Sequence, residues 1–142
     1  VTVEVDPETG SVQLLKFYCV EDCGKVINPL LVDEQVRGSI VQGIGGVLYE
    51  ECRYDLDGNF LNANMADYLV PMAGEMPDIE IAHVETLTKE SELGAKGAGE
   101  AGTAGAPGAI LNAINDALSP FGASVLDQPV SPERVLKALG KY

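Results

Sequence analysis

The sequence predicts a protein of the α+β class, with strands beside one long packed helix and two further helices. Three observations carry this prediction. Two alternating segments flank a turn near the N-terminus, apolar residues recur at helical spacing from residue 29 to about residue 51, and two shorter helical patterns follow in the C-terminal third. A chain of 142 residues with 46% apolar content suits a single domain, residues 1–142, with a core of its own.

The strand predictions rest on alternation and turn chemistry. Residues 1–5 and 12–20 alternate on either side of the turn formers in segment 6–10, which predicts a hairpin. Asp57 and Gly58 indicate a tight turn within segment 55–59, and residues 79–87 alternate again as a strand.

The helix predictions rest on spacing and on end signals. Asn28 can cap the long helix and Pro29 suits its first turn. Its apolar positions are Val32, Val36, Ile40, Ile44, Val47 and Leu48. A second helix is predicted over residues 107–118, before Pro120 and Gly122 stop it, and a short third helix over residues 131–139, with Ser131 as N-cap.

Charge and composition exclude several classes of partner. Nine Lys and Arg against 22 Asp and Glu give a net charge of −13, which repels nucleic acid and anionic membranes. No apolar run approaches the ~20 residues of a membrane span, and the N-terminus is not a signal sequence, so a cytoplasmic location is expected. The chain starts without methionine and in mid-pattern, so we expect it to be part of a longer polypeptide.

The residues that commonly bind metals are sparse. The cysteines at 19, 23 and 52 lack zinc-type spacing and are interpreted as packing residues in a reducing compartment. His83 is the only histidine and is interpreted as structural or surface-exposed. No metal ligand is therefore predicted among the side chains.

One face of the long helix is small and amide-bearing. Its members are Gln35, Gly38, Ser39, Gln42, Gly45 and Gly46. Glycine in a helix costs up to ~1 kcal/mol relative to alanine, so the cluster requires a close contact. The residues alone favour tight packing with the glutamines bonded to neighbouring backbone, but a glutamine amide also suits the edge of a heterocyclic cofactor.

The segment 94–108 sets Glu100 among glycines and alanines, where backbone can approach a ligand closely. Glu100 is a candidate general base, and Lys96 is expected to keep it ionised if the loop folds back. The alternative is a plain loop with Glu100 exposed or bonded to a helix that begins near Pro107. Gly97, Gly99 and Gly102 fit the dinucleotide fingerprint in spacing, but no strand pattern precedes them directly, and no phosphate loop is present.

Longer motifs resemble the molybdenum hydroxylases, the family of xanthine oxidase, aldehyde oxidase and aerobic carbon monoxide dehydrogenase. The motifs are Asp22-Cys23-Gly24-Lys25-Val26-Ile27-Asn28-Pro29, Gln35-Val36-Arg37-Gly38, Val41-Gln42-Gly43-Ile44-Gly45, Lys96-Gly97-Ala98-Gly99-Glu100 and the run from Gly105 to Ala117. The similarity extends from about residue 1 to residue 139 and is to the C-terminal part of the large, molybdopterin-binding subunit.

The resemblance implies roles for five residues. Glu100 would be the base that takes a proton from a hydroxyl bound to molybdenum. Gln35 would bind the molybdopterin, and Gly97, Ala98 and Gly99 would bring backbone close to the cofactor. The pterin dithiolene holds the metal in this family, so no protein ligand is expected.

The resemblance also implies the partners. These are the remainder of the large subunit, iron–sulfur and FAD domains or subunits that accept the electrons, and a small-molecule substrate. The molybdopterin is expected either alone or as its cytosine dinucleotide. The residues after Glu100 differ from the Pro-Pro pair of xanthine oxidases, so a purine is disfavoured, while aldehydes, N-heterocycles and carbon monoxide stay open. The fragment is expected to be inactive alone, and the alternative function is a non-catalytic assembly domain.

Overall fold

The computed structural model describes residues 1–141, which form a three-stranded sheet with helices packed on it. The strands are β1 (Thr2–Val5), β2 (Val12–Glu21) and β3 (Asp78–His83), in the order β1-β2-β3. The helices are α1 (Pro29–Leu48), α2 (Ala101–Leu118) and α3 (Pro132–Ala138), with short 3₁₀ turns at Ala73–Glu75 and Ser119–Phe121. The predicted α+β class is confirmed.

The predicted N-terminal hairpin is confirmed. Strands β1 and β2 pair antiparallel, and the side chain of Asp6 stabilises the turn by accepting hydrogen bonds from the Glu8 amide at 2.8 Å and the Thr9 hydroxyl at 2.7 Å. Gly10 has φ +74° and is packed against the backbone of Pro132, so this corner requires a residue without a Cβ.

The third strand is shorter than predicted. It pairs in parallel with β2 and ends at His83 rather than near residue 87. Beyond that point the Val84 amide still donates to the Glu21 carbonyl, but the Glu85 carboxylate then accepts from the Val26 amide and turns the chain toward another loop. The alternating pattern therefore extends beyond the strand itself, and its apolar residues Val84 and Leu87 are exposed.

Helix α1 begins where the sequence predicts. The Asn28 side chain accepts a hydrogen bond from the Leu31 amide at 3.3 Å, and Pro29 occupies the first turn. The helix ends three residues earlier than predicted, because the amides of Tyr49 and Glu50 both return to the Gly45 carbonyl. Its apolar face forms the centre of the core, together with residues of α2; the fully buried members are Val36, Ile40, Ile44, Val47, Ile110, Ile114 and Leu118.

Helix α2 begins at Ala101, six residues before the predicted start at Pro107. The prediction was wrong because proline usually marks a first turn, whereas here Pro107 lies inside the helix. The reason is packing against α1. A Cβ on Gly43 of α1 would lie 2.7 Å from the Ala106 Cβ and 3.2 Å from the Pro107 Cδ, so the two helices meet closely along this stretch. Tertiary contact stabilises a first turn that the sequence pattern disfavours.

The short helix α3 lies at the C-terminal end of the described residues. As predicted, the Ser131 hydroxyl caps α3 by accepting from the Arg134 amide. Gly140 follows the helix at φ +70°. Cys23 is buried and Cys19 half-buried, in line with a packing role, but Cys52 is exposed, so that interpretation was wrong for Cys52.

Among the described residues, no helix is both long enough and apolar enough to cross a membrane.

Candidate functional site

The amide-bearing face of α1 meets the residue before Glu100. Gln35 donates a hydrogen bond from Nε2 to the Gly99 carbonyl at 2.8 Å, and the Ser39 Oγ lies 2.7 Å from the same oxygen. Ser39 is 4% exposed and its Oγ also lies 2.8 Å from the Gln35 carbonyl. Two side chains of α1 therefore fix the peptide that leads into Glu100.

The first turn of α2 is fastened to the same face. Thr103 donates its hydroxyl hydrogen bond to the Ser39 carbonyl at 2.8 Å. A Cβ on Gly102 would lie 2.8 Å from the Val36 carbonyl oxygen and 2.9 Å from the Ser39 Cβ, so glycine is needed for this approach. Glu100 is the N-cap residue of α2, but its side chain makes no capping hydrogen bond. The carboxylate of Glu100 is exposed and is left for contacts outside the helix.

The other end of the loop is anchored by Asp22, directly after β2. Its carboxylate accepts hydrogen bonds from the Thr86 amide at 3.0 Å, the Gly24 amide at 2.9 Å and the Lys96 ammonium at 3.1 Å. Hydrogen bonds from Thr86, followed by those from Gly24 and Lys96, hold the pKa of Asp22 well below its usual range. The backbone adds two bonds, from the Lys96 amide to the Cys23 carbonyl at 2.8 Å and from the Lys25 amide to the Gly94 carbonyl at 3.1 Å.

Between these two anchors the loop presents open backbone. A Cβ on Gly97 or Gly99 would meet no atom within 4 Å. Within residues 1–141 the amides of Gly97, Ala98 and Gly99 donate no hydrogen bond, and neither does the second amide proton of Gln35. These donors, the side-chain Oε1 of Gln35 and the Glu100 carboxylate match the mixed donor and acceptor edge of a pterin, so the residues present fit such a cofactor.

The structure brings some of the predicted site residues together. Gln35, Gly99 and Glu100 lie at one junction, and Gly97 and Ala98 belong to the adjoining loop. Gln35 bonds neighbouring backbone, as the packing interpretation predicts, and keeps further amide atoms available for a ligand. The glycines of the small-residue face have different surroundings. The Glu50 carboxylate occupies the space beside Gly45, whereas Gly38 and Gly46 face open space.

One expectation about electrostatics is wrong. Lys96 forms its ion pair with Asp22, not with Glu100. The reason is the crossing of the 22–25 and 94–96 segments, which brings Asp22 to Lys96 although the two are far apart in sequence. Asp22 and Thr103 were not singled out from the sequence as functional. An Asp before a glycine-containing turn is a signal for Asx-type hydrogen bonding, but it does not reveal a distant lysine.

Comparison with known proteins adds a family to this geometry. Residues 1–77 match the family model described as molybdopterin cofactor-binding domain. The chain is 48% identical over 136 residues to the nicotine 6-hydroxylase large subunit of Paenarthrobacter nicotinovorans, covering 96% of this chain and 17% of that protein. It is 32% identical over 140 residues to the carbon monoxide dehydrogenase large chain of Hydrogenophaga pseudoflava, covering 99% of this chain and 17% of that protein.

The fold agrees with a solved relative. The structure of quinoline 2-oxidoreductase from Pseudomonas putida 86 superposes with a TM-score of 0.94 at 40% sequence identity, over 98% of this chain and 18% of that one. The chain thus spans less than a fifth of the length of the proteins it matches. With a family model matching more than half of its residues, this chain belongs to the molybdopterin cofactor-binding domain family.

Proposed function

We propose that this chain supplies the general base and part of the molybdopterin site of a molybdenum-dependent oxidoreductase. The observation that carries the proposal is the 2.8 Å hydrogen bond from Gln35 to the Gly99 carbonyl. It joins the amide-bearing face of α1 to the residue before Glu100. An exposed carboxylate on a backbone held by two side chains is suited to proton abstraction, because its position is fixed while its oxygens stay free.

Each residue has a distinct part in this proposal. Gln35 and the amides of Gly97, Ala98 and Gly99 bind polar atoms of the pterin, while Ser39 holds the loop in place. The molybdopterin, alone or as its cytosine dinucleotide, supplies the two-electron oxidation with water as the source of oxygen. Glu100 takes the proton from the oxygen nucleophile, which makes that oxygen more reactive toward an electron-poor carbon. Iron–sulfur clusters and FAD on partner domains or subunits would accept the electrons.

The substrate class favoured is an N-heteroaromatic ring. Support comes from the two relatives named for such rings, at 48% and 40% identity, whereas the carbon monoxide dehydrogenase large chain is 32% identical. A ring nitrogen withdraws electrons from the adjacent carbon, which is the carbon that a base-activated oxygen attacks. Aldehydes and carbon monoxide are the competing substrates.

The test is Glu100→Gln in the intact large subunit that carries this chain, assembled with its partner subunits. Removing the base should lower kcat for hydroxylation of nicotine or quinoline by roughly 10²-fold or more. Molybdenum and pterin contents should stay at the wild-type level, because the backbone of the loop is unchanged. Glu90→Gln is the matched control, since it neutralises another exposed glutamate of the preceding loop and should leave kcat unchanged.

A second candidate function is a non-catalytic assembly domain. It is favoured by the contacts of Gln35 and Ser39, which both serve to fasten backbone. Under this alternative, Glu100→Gln would lower kcat less than about tenfold, too little for a proton-abstracting base. The same measurement therefore separates the two candidates.

A further inference from the structure

Three titratable side chains from three elements meet at the end of the sheet. Glu21 is the last residue of β2 and His83 the last of β3, and the two are register partners on the inward face of the parallel pair. His83 donates from Nε2 to the Asp33 Oδ1 of α1 at 2.7 Å. The row of inward pairs that begins with Phe17 and Ile79 thus ends in an acid and an imidazole instead of two apolar residues.

Glu21 and His83 each have buried polar atoms without a partner. Glu21 is 8% exposed, and among the described residues neither of its carboxylate oxygens makes a hydrogen bond. The same holds for Nδ1 of His83. Burial raises the pKa of Glu21, an effect that neighbouring His83 partly opposes. A buried ionised carboxylate without a hydrogen-bond donor is energetically unfavourable, whereas a protonated carboxyl can itself donate a hydrogen bond.

We propose that the carboxyl of Glu21 is protonated in the folded state and donates a hydrogen bond from its O–H to Nδ1 of His83, so that Glu21, His83 and Asp33 form one hydrogen-bonded network. The tautomer agrees, because a neutral imidazole that donates from Nε2 to Asp33 must accept at Nδ1. This single hydrogen bond gives a partner to one carboxyl oxygen of Glu21 and to Nδ1 of His83. Only the other oxygen of Glu21 then lacks a partner. The network ties β2, β3 and α1 together at a point where no backbone ladder joins the helix to the sheet.

This hydrogen-bonded network makes Glu21 and His83 positioning residues for Gln35 and for the loop that carries Glu100. That role rests on the proposed function of those residues. Gln35 lies two residues after Asp33 on α1, and Asp22, which anchors the loop of Glu100, directly follows Glu21. Gln35 and the Asp22 anchor of the Glu100 loop are therefore both close in sequence to residues of this network. A looser tie would let α1 shift relative to the loop and would misplace Gln35.

The surroundings contain few other groups that could hold the proton. Cys19 lies on the same inward face of β2, and Glu85 follows β3 and is paired with Lys25. On the side of α2, a groove of about 230 Å³ runs along β2 up to Glu21. The α2 residues that line it carry no charge; they are Ala101, Gly102, Gly105, Ala106 and Ala109. Within residues 1–141, Nδ1 of His83 is the other buried side-chain atom without a partner, so His83 is the hydrogen-bond acceptor proposed for Glu21.

The first test uses Glu21→Gln and Glu21→Met in the intact subunit with its partner subunits. A carboxamide donates from the same position as a protonated carboxyl, so Glu21→Gln should keep the wild-type thermal midpoint at pH 7. Glu21→Met fills the same space without a donor and should lower the midpoint by several degrees. A large loss with Glu21→Gln would overturn the proposal, since it would show an ionised carboxylate bound to a cation. Glu4→Gln, at an exposed position of β1, is the control.

The pH dependence has a definite sign. A carboxyl whose pKa is raised in the folded state contributes stability that is lost as pH rises through that pKa. The stability of wild type relative to Glu21→Gln should therefore fall as pH rises above the ordinary glutamate value of 4.5, and the difference should become constant above the raised folded-state pKa. A difference that does not change with pH would contradict a shared proton. Infrared spectroscopy gives an independent measurement that needs only the glutamine variant: the C=O stretching band of a protonated carboxylic acid should be present in wild type at pH 7 and absent from Glu21→Gln.

The positioning role has its own readout. Molybdopterin content after gel filtration should fall several-fold in Glu21→Met and should be restored in Glu21→Gln. Normal pterin content in Glu21→Met would overturn the positioning role. Failure of the proposed function would look different: Glu100→Gln would keep its activity, while the infrared band of Glu21 would be unaffected.

Discussion

Gly102 decides how closely α1 and α2 approach at the candidate site. Its Cα hydrogen faces the Val36 carbonyl and the Ser39 side chain, and the hydrogen bond from Thr103 to the Ser39 carbonyl depends on that approach. A methyl group at this position would meet backbone, which cannot rotate away as a flexible side chain would. The position of Glu100, two residues earlier, is therefore sensitive to a single added carbon.

Gly102→Ala should lower the free energy of unfolding of the 142-residue chain by about 1–3 kcal/mol. Gly108→Ala is the matched control in the same helix, where a Cβ would meet nothing within 4 Å. There alanine should raise the free energy of unfolding by up to ~1 kcal/mol through helix propensity. Urea unfolding of both variants gives the comparison, and equal effects of the two substitutions would show that Gly102 is not sterically required.

Among the elements, the loop at 94–100 depends on a segment far away in sequence. Residues 22–25 run beside residues 94–96, with a bridge between Gly24 and Ala95, and the Asp22 carboxylate collects three donors at the crossing. Gly24, at φ +66°, is packed against the Gly94 carbonyl. The loop that carries Glu100 is thus held at one end by Asp22 and at the other by Gln35 and Ser39.

Asp22→Asn should destabilise the chain at pH 7 and should matter less in acid. A carboxyl with a lowered folded-state pKa stabilises the fold above its ordinary value of 3.8, and this contribution is lost as pH falls through the lowered value. The difference in thermal midpoint between wild type and Asp22→Asn should therefore shrink below about pH 4. Asp127→Asn, on an exposed loop, is the control for the loss of one carboxylate. A constant gap for Asp22→Asn would rule out the charge as its cause.

At the scale of the whole molecule, large apolar side chains remain exposed. Leu30 and Leu31 at the start of α1, Val20 of β2 and Leu126 are each more than half exposed. In the relatives a chain of this length makes up less than a fifth of the protein. We expect such surfaces to contact the remainder of a large subunit, and we expect most cofactor contacts to come from there.

The isolated 142-residue chain should accordingly bind no molybdopterin tightly. Gln35 and the amides of the loop supply only one edge of a site, and a cofactor held on one side keeps most of its surface in water. The measurement is the molybdenum content of the purified chain after expression with an adequate cofactor supply. A stoichiometric signal would show that the site is complete within this chain.

The sequence by itself determined the elements with strong local signals. Asn28 and Pro29 mark the start of α1, Ser131 marks the start of α3, and the turn at Asp6 marks the hairpin, because each effect acts within a few residues. Long motifs also determined the family, because a match over many residues in order is far more specific than any single residue or contact. The roles of Glu100 and Gln35 remain predictions.

The tertiary structure alone decided the features that join distant residues. The early start of α2 depends on packing against Gly43, and the partner of Lys96 is Asp22, which lies more than seventy positions away. Glu21 and His83 become neighbours only through the parallel pairing of β2 and β3. A local sequence pattern cannot reveal such contacts, because chain topology brings these distant residues together. Their burial in the folded protein then sets the free energy of their charged forms.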